Sequence, residues 1–346
     1  MYINFVKVEN KNKYITLWLL LITLLVAIII IIGGLTRLTD SGLSITKWDL
    51  FVGIVPPLSQ SDWNNLFLLY QKIPEFKIQN STMTLQEFKL IFWWEYAHRL
   101  IGRILGLTFI FPLIYFTWKK LIPKKYLLSL YFIFFLILIQ GVVGWYMVKS
   151  GLTERTDVSH FRLSLHLTIA FIIFILLLLN FFKYTNRTNL THFQKIPYNL
   201  PVLFLLLILI QVSIGAFVSG LDAGQIYQSW PLMNRAFFPD DSSVADLFKK
   251  DVFSIPSLVQ FLHRNIAYLI FIFFLFICFI VFKNNELFYL KKYIIIIFAS
   301  LLLQIFLGIL TVLSGAQIFI ASMHQVGSLL LVFTSVLLIS KNSKTN

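Results

Sequence analysis

Eight long apolar runs constrain this chain more than any other feature. Runs of about twenty residues or more, each able to cross a hydrocarbon layer about 30 Å thick, lie near 14–34, 92–117, 126–148, 163–182, 199–219, 258–282, 290–313 and 317–340. They read as eight transmembrane helices, an all-α polytopic membrane protein. A soluble domain is excluded, because 58% of the residues are apolar and 13% charged, which leaves too little polar surface to face water.

The net charge of +14 reflects topology and does not point to nucleic acid. With both termini cytoplasmic, the inner segments carry Lys7, Lys11, Lys13, Lys119, Lys120, Lys124, Lys125, Lys183, Arg187, Lys195, Lys283, Lys291, Lys292, Lys341 and Lys344 against Glu9 and Glu286. Short basic loops stay inside during insertion, so this orientation follows. The residues before the first span show neither a cleavable secretory signal nor a transit peptide, and a bacterial plasma (inner) membrane is the simplest location for this multi-pass chain. Cys278, the only cysteine, lies in the sixth span and has no intrachain disulfide partner.

Ionisable residues inside apolar spans are costly and lean toward function. In the second span, Glu95, His98, Arg99 and Gly102 fall at offsets that share one helix face. The plainer reading is an i,i+4 ion pair beside a satisfied core histidine. The stretch has an echo, however, in Gln260, His263 and Arg264 of the sixth span, and His166 and His324 also stand just inside apolar runs.

The chain repeats in other ways. Gln140-Gly141-Val142-Val143-Gly144 of the third span returns as Gln304-Ile305-Phe306-Leu307-Gly308 of the seventh, an offset of 164, and Leu221-Asp222-Ala223-Gly224 resembles Thr39-Asp40-Ser41-Gly42. The expected architecture is therefore two pseudo-symmetric four-helix bundles, residues 1–182 and 199–346, joined by a cytoplasmic linker at 183–198. Four spans per half is an even number, so the halves form a parallel repeat. All four histidines then fall in the outer portions of the even-numbered spans, two per bundle at matching depth. The external loop from the end of the first span to about residue 90, with Trp48, Pro56, Pro57 and Trp63, is expected to act as a lid over the first bundle.

Two facing imidazoles per bundle, without cysteines or carboxylate pairs, fit bis-axial ligation of haem iron better than zinc or di-iron, giving metal ligands His98, His166, His263 and His324. A proton relay or plain polar contacts between helices are the competing readings. The residue one turn after each histidine is small (Gly102, Ala170, Ala267 and Ser328), as a flat macrocycle requires, although small residues also favour helix contacts. Arg99 and Arg264 either reach haem propionates or snorkel to headgroups. His160 and His192 fall in loops and carry no assigned role. The halves differ in one respect: Glu95 of the first stands where the second has Gln260. A carboxylate can exchange a proton or stabilise developing positive charge, so the first bundle reads as catalytic and the second as an electron relay.

Gly33-Gly34-Leu35-Thr36-Arg37-Leu38-Thr39, Glu95-Tyr96-Ala97-His98-Arg99, the histidines of the fourth, sixth and eighth spans and the two-half arrangement together resemble the haem A synthase family, over nearly the whole chain. The resemblance implies an oxidoreductase of haem A and cytochrome oxidase biogenesis, whose substrate haem O is oxidised stepwise at its C8 methyl group to a formyl group. It implies catalytic Glu95, His98 and His166, with the substrate in the N-terminal bundle. A haem b cofactor is implied in the C-terminal bundle, held by His263 and His324, and Arg99 and Arg264, one in each bundle, stand as the cofactor-binding arginines of the propionate reading. Implied partners are haem O synthase, an electron-transfer protein and a further copy of the chain. The chain departs from many bacterial members in lacking a cysteine pair in its outer loops, so its first loop must be ordered without that link. Two alternatives stay open: a di-haem b-type electron-transfer protein, such as a quinone or metal reductase, and a haem exporter.

Overall fold

A computed structural model of the protein describes residues 2–47, 52–153, 155–185 and 195–342. Among the described residues there is no strand, and eight helices are long and apolar enough to span a membrane. These are α1 (Tyr2–Leu38, apolar from Lys13), α4 (Leu85–Trp118), α5 (Lys124–Gly151), α6 (His160–Thr185), α7 (Leu200–Gly220), α8 (Pro256–Lys283), α9 (Lys291–Leu313) and α10 (Ile318–Asn342). Two short helices, α2 (Gln60–Tyr70) and α3 (Pro74–Ile78), lie in the long connection between α1 and α4. The end of the molecule that carries this connection and the one between α7 and α8 is called the loop end below.

Each apolar run expected from sequence is a helix, but several helices extend beyond their runs. The helix α4 starts at Leu85 because Thr84 and Glu87 form a capping box, in which each side chain binds the other residue's backbone N–H. Its first turns then pack Phe88 and Phe92 against the α2 region. The helix α6 starts at His160, so His160 is not in a loop. It is a buried helix-start residue whose Nε2 lies 3.3 Å from Ser254 Oγ. A Cβ on Gly220 of α7 would come within 2.9 Å of His160 Cβ, so glycine is what allows α6 and α7 to approach there. His192 and Trp48 lie outside the described residues.

Neighbouring helices pair as α1 with α4, α5 with α6, α7 with α8 and α9 with α10. The first and last spans of each set, α1, α6, α7 and α10, also meet across the middle, and one apolar core runs from Ile15 and Ile22 through Phe109, Phe171 and Phe204 to Phe274 and Val336. At the crossing of α1 and α10, a Cβ on Gly34 would overlap the Gln325 side chain, whose Nε2 donates to Ile30 O at 2.8 Å.

The ends of α1 and α7 are built alike. Asp40 and Asp222 both adopt the left-handed conformation that closes a helix, with φ of 47° and 49°. Arg37 bridges the two turns, donating to Asp40 Oδ1 at 2.5 Å, to Asp222 Oδ1 at 2.9 Å and to Ser219 O at 2.9 Å. The residue of α7 that matches Arg37 at the same offset of 182 is Ser219, so a single guanidinium serves both turns.

Candidate functional site

The four histidines come together as two pairs near the loop end. The ring centroids of His98 and His166 are 6.5 Å apart with an interplanar angle of 67°, and those of His263 and His324 are 6.4 Å apart at 79°. An atom ligated between two imidazole nitrogens at about 2 Å each puts the ring centres roughly 6 Å apart. Both pairs have that spacing, and the residues present fit a bis-histidine haem. Among the described residues no group of three or more His, Cys, Asp or Glu side chains converges, so nothing competes as a zinc or di-iron cluster.

A glycine on the paired helix orients each ring. A Cβ on Gly33 of α1 would lie 2.9 Å from His98 Cε1, 3.3 Å from Nδ1 and 3.7 Å from Nε2, and the order of distances is the same for Gly144 with His166, Gly215 with His263 and Gly308 with His324. In all four pairs the Cε1 corner of the ring, with the two nitrogens on either side of it, faces the neighbouring helix. The Nδ1 atoms of His166 and His263 are buried without a hydrogen-bond partner, while the His98 and His324 rings face the backbone of Ile29 and Gln304. The backbone behind two of the rings is tied across helices as well, since Gln140 Nε2 donates to His166 O at 2.9 Å and Gln211 Nε2 to His263 O at 2.8 Å. Sequence reasoning placed the steric clearance at Gly102 and its counterparts on the histidine helices themselves. A separate set of close approaches, which sequence reasoning did not select, is on the partner helices, and the signal for three of them was the spacing Gln-x-x-x-Gly at 140–144, 211–215 and 304–308. A Cβ on Gly102 would meet only Ile29 Cδ1, at 3.5 Å.

Glu95 is buried one turn before His98, and four donors hold it. Its Oε1 accepts from Arg99 Nε at 3.0 Å and Nη2 at 2.6 Å, and its Oε2 accepts from Ser44 Oγ at 2.7 Å and Ile45 N at 2.8 Å. Arg99 Nη2 also donates to Ile45 O at 3.0 Å. Glu95 and Arg99 thus form the i,i+4 ion pair of the plainer reading, and together they fasten the start of the long connection to α4 beside the first histidine pair. The second half repeats the clamp without the carboxylate. Arg264 donates to Ser229 O at 2.9 Å and Tyr227 O at 2.9 Å, and Gln260 Nε2 donates to Tyr227 O at 3.1 Å.

The long connection packs over α4 in a second apolar cluster of Leu43, Trp63, Tyr70, Ile73, Phe88, Phe92, Tyr96 and Val158. Trp63 meets Phe92 edge-on at 4.9 Å, and Tyr96 Oη donates to Ile54 O at 2.6 Å. Sequence reasoning did not single out Glu75 of α3. It is 3% exposed, and its Oε2 has no hydrogen-bond partner. Burial and the charges of Glu95, Asp157 and Asp40 push its carboxyl up to about 8, with Arg37 opposing.

Fold and site together define a class: a polytopic helical membrane protein with two intramembrane histidine pairs, one of them beside a buried carboxylate. Residues 16–336 match the family model COX15-CtaA, described as cytochrome oxidase assembly protein. The chain is 50% identical over 341 residues to a protein of Pelagibacter ubique (strain HTCC1062) named heme A synthase, covering 98% of this chain and 99% of that one. It is 40% identical over 329 residues to heme A synthases of Maricaulis maris (strain MCS10) and of Wolbachia pipientis wMel, covering 95% and 94% of this chain and 96% and 92% of theirs. This chain belongs to the COX15-CtaA family.

Proposed function

We propose that the chain, as a haem A synthase, oxidises the C8 methyl group of haem O stepwise to a formyl group, with the substrate on His98 and His166 of the N-terminal half, residues 1–182. In this reading His263 and His324 of the C-terminal half, residues 199–346, hold a haem b cofactor, which supplies electron transfer. The linker is 183–198, and the membrane is the bacterial plasma membrane with both termini cytoplasmic. Haem O synthase, an electron-transfer partner and a second copy of the chain are the proposed associates.

One observation carries the division of labour: two histidine pairs of equal spacing, with a carboxylate beside only the first. Converting a methyl to a formyl group breaks two C–H bonds, adds one oxygen atom supplied by water or dioxygen, and oxidises the carbon, so the reacting side needs a proton acceptor and a path for electrons. Glu95 is the proton acceptor and the stabiliser of positive charge developing on the substrate, since an anionic carboxylate fixed by Arg99, Ser44 and Ile45 keeps its place through the reaction. Arg99 and Arg264 bound the two haem pockets at their rims while anchoring loop backbone. The packed connection over α4 excludes water from the first pocket.

Pigment extraction from cells that also make haem O tests the reading. Haem A or its hydroxylated precursor is expected with the intact chain, and a His166→Ala variant is expected to accumulate neither. Recovery of haem b alone from the intact chain supports the di-haem electron-transfer alternative and contradicts this one.

A further inference from the structure

The porphyrin substrate of the reading above carries two propionate carboxylates, and the two arginines nearest the histidine pairs already donate to loop groups. A cavity of about 610 Å³ at the loop ends of α5 and α6 offers a different set of cations. Lys149, Arg155 and Arg162 line it together with Trp145 and Tyr146.

Its position follows from the helices that frame the first histidine pair. Arg162 is one turn before His166 on α6, and Trp145 follows Gly144, the residue packed on the His166 ring. The arginine is held in place, with Cζ 3.5 Å from the Tyr146 ring centre and Nη1 donating to Tyr146 O at 2.6 Å. Lys149 Nζ lies 5.3 Å from the Trp145 ring centre. None of the three cations is ion-paired to a carboxylate among the described residues.

The repeat provides an internal control. At the offset of 164 that relates Gly144 to Gly308, Trp145, Tyr146 and Lys149 correspond to Ile309, Leu310 and Leu313. Counted from the histidines, Arg162 corresponds to Ile320. The second half therefore has an apolar surface where the first has cations and aromatic rings. Lysine and arginine at the end of a membrane helix are ordinary on their own. Their restriction to the half that handles the substrate, around a cavity, is not explained by snorkelling, which both halves would share.

We propose that this cavity is the carboxylate subsite of the first half, in which Lys149, Arg155 and Arg162 take the propionates of the haem substrate while its iron lies between His98 and His166. The subsite rests on the reading of the first half as the substrate half. Being lined by exposed lysine and arginine, it also gives the substrate an electrostatic entry and exit that a resident cofactor does not need.

Full-length protein purified with its resident haem can be titrated with haem O and with haem O dimethyl ester, whose carboxylates are blocked, and followed by absorbance. The variants are Lys149→Gln/Arg155→Gln, the charge-keeping Lys149→Arg/Arg155→Lys, and His166→Ala. Charge-assisted contacts predict about a tenfold or greater loss of haem O affinity in the neutral double variant. Binding of the ester should be unchanged, and the charge-keeping variant should bind haem O like the parent. Parent-like haem O binding by the neutral variant, while His166→Ala binds none, overturns the subsite and leaves the substrate half standing. An equal loss for haem O and its ester makes the cations structural and also overturns it. So does a neutral variant with unchanged haem O binding that has lost only its retention of phosphatidylglycerol in nanodiscs, which assigns the cavity to lipid headgroups. Undiminished haem O binding by His166→Ala removes the reading of the first half, and the subsite with it.

Discussion

Glu75 shows what burial does to a carboxyl that has one oxygen, Oε2, without a hydrogen-bond partner. Its pKa in the fold, pushed up to about 8 by burial and by Glu95, Asp157 and Asp40, exceeds the ordinary value of 4.5. Folding therefore takes up a proton between those values. The protonated side chain's contribution to stability is complete below about pH 4.5 and is lost as pH rises through about 8. Glu75→Gln, which mimics the neutral form, is expected to flatten the fall in unfolding temperature between about pH 5 and 9 and to raise that temperature at pH 9; an unchanged slope by differential scanning fluorimetry in detergent contradicts this. Sequence gave little reason to select Glu75, because a single acid in a long polar connection resembles any solvated residue until tertiary packing buries it. Glu95 was legible because it stood inside an apolar run, where a carboxylate without a function is costly. Its four donors were not, since Ser44 and Ile45 lie 51 and 50 positions earlier.

At the level of elements, the eight spans could be read from hydropathy because length and apolarity are all that crossing a bilayer requires. Their starts could not, because a capping box at Thr84 and a buried helix start at His160 obey local rules that hydropathy does not report. The glycine on each partner helix was hidden for a related reason: which helices pair is a tertiary fact. Gly144→Ala would put a methyl 3.0 Å from His166 Cε1, tighter than normal contact, so either the ring or α5 must shift. Reduced haem occupancy of the first half with the second unaffected is the expected result by pyridine haemochrome, and full occupancy of both contradicts it. The connection between α1 and α4 is fastened at Glu95, Tyr96 and Phe92 without any disulfide. Deletion of residues 50–80 removes Trp63 and Tyr70 from that cluster and is expected to abolish turnover while the C-terminal histidine pair still binds haem. Unchanged turnover rules out the lid.

For the whole molecule, the internal repeat could be seen in the sequence from paired motifs, and the structure adds how the two sets meet. The spans α1, α6, α7 and α10 share a core, and Arg37 joins the matching turns at Asp40 and Asp222. The differences between the sets bear on function: Glu95 against Gln260, and the cationic cavity against Ile309, Leu310, Leu313 and Ile320. A chain that only carried electrons between two haems would have no use for either. The most direct test is conversion of haem O by Glu95→Gln protein in which both haem positions are shown to be filled, with Ser44→Ala as the control that removes one hydrogen bond from Glu95 and keeps its charge. The account predicts no haem A from Glu95→Gln at full haem content, and turnover within about threefold of the parent for Ser44→Ala, a loss of about 0.7 kcal/mol. Haem A formed at the parental rate by Glu95→Gln would contradict it.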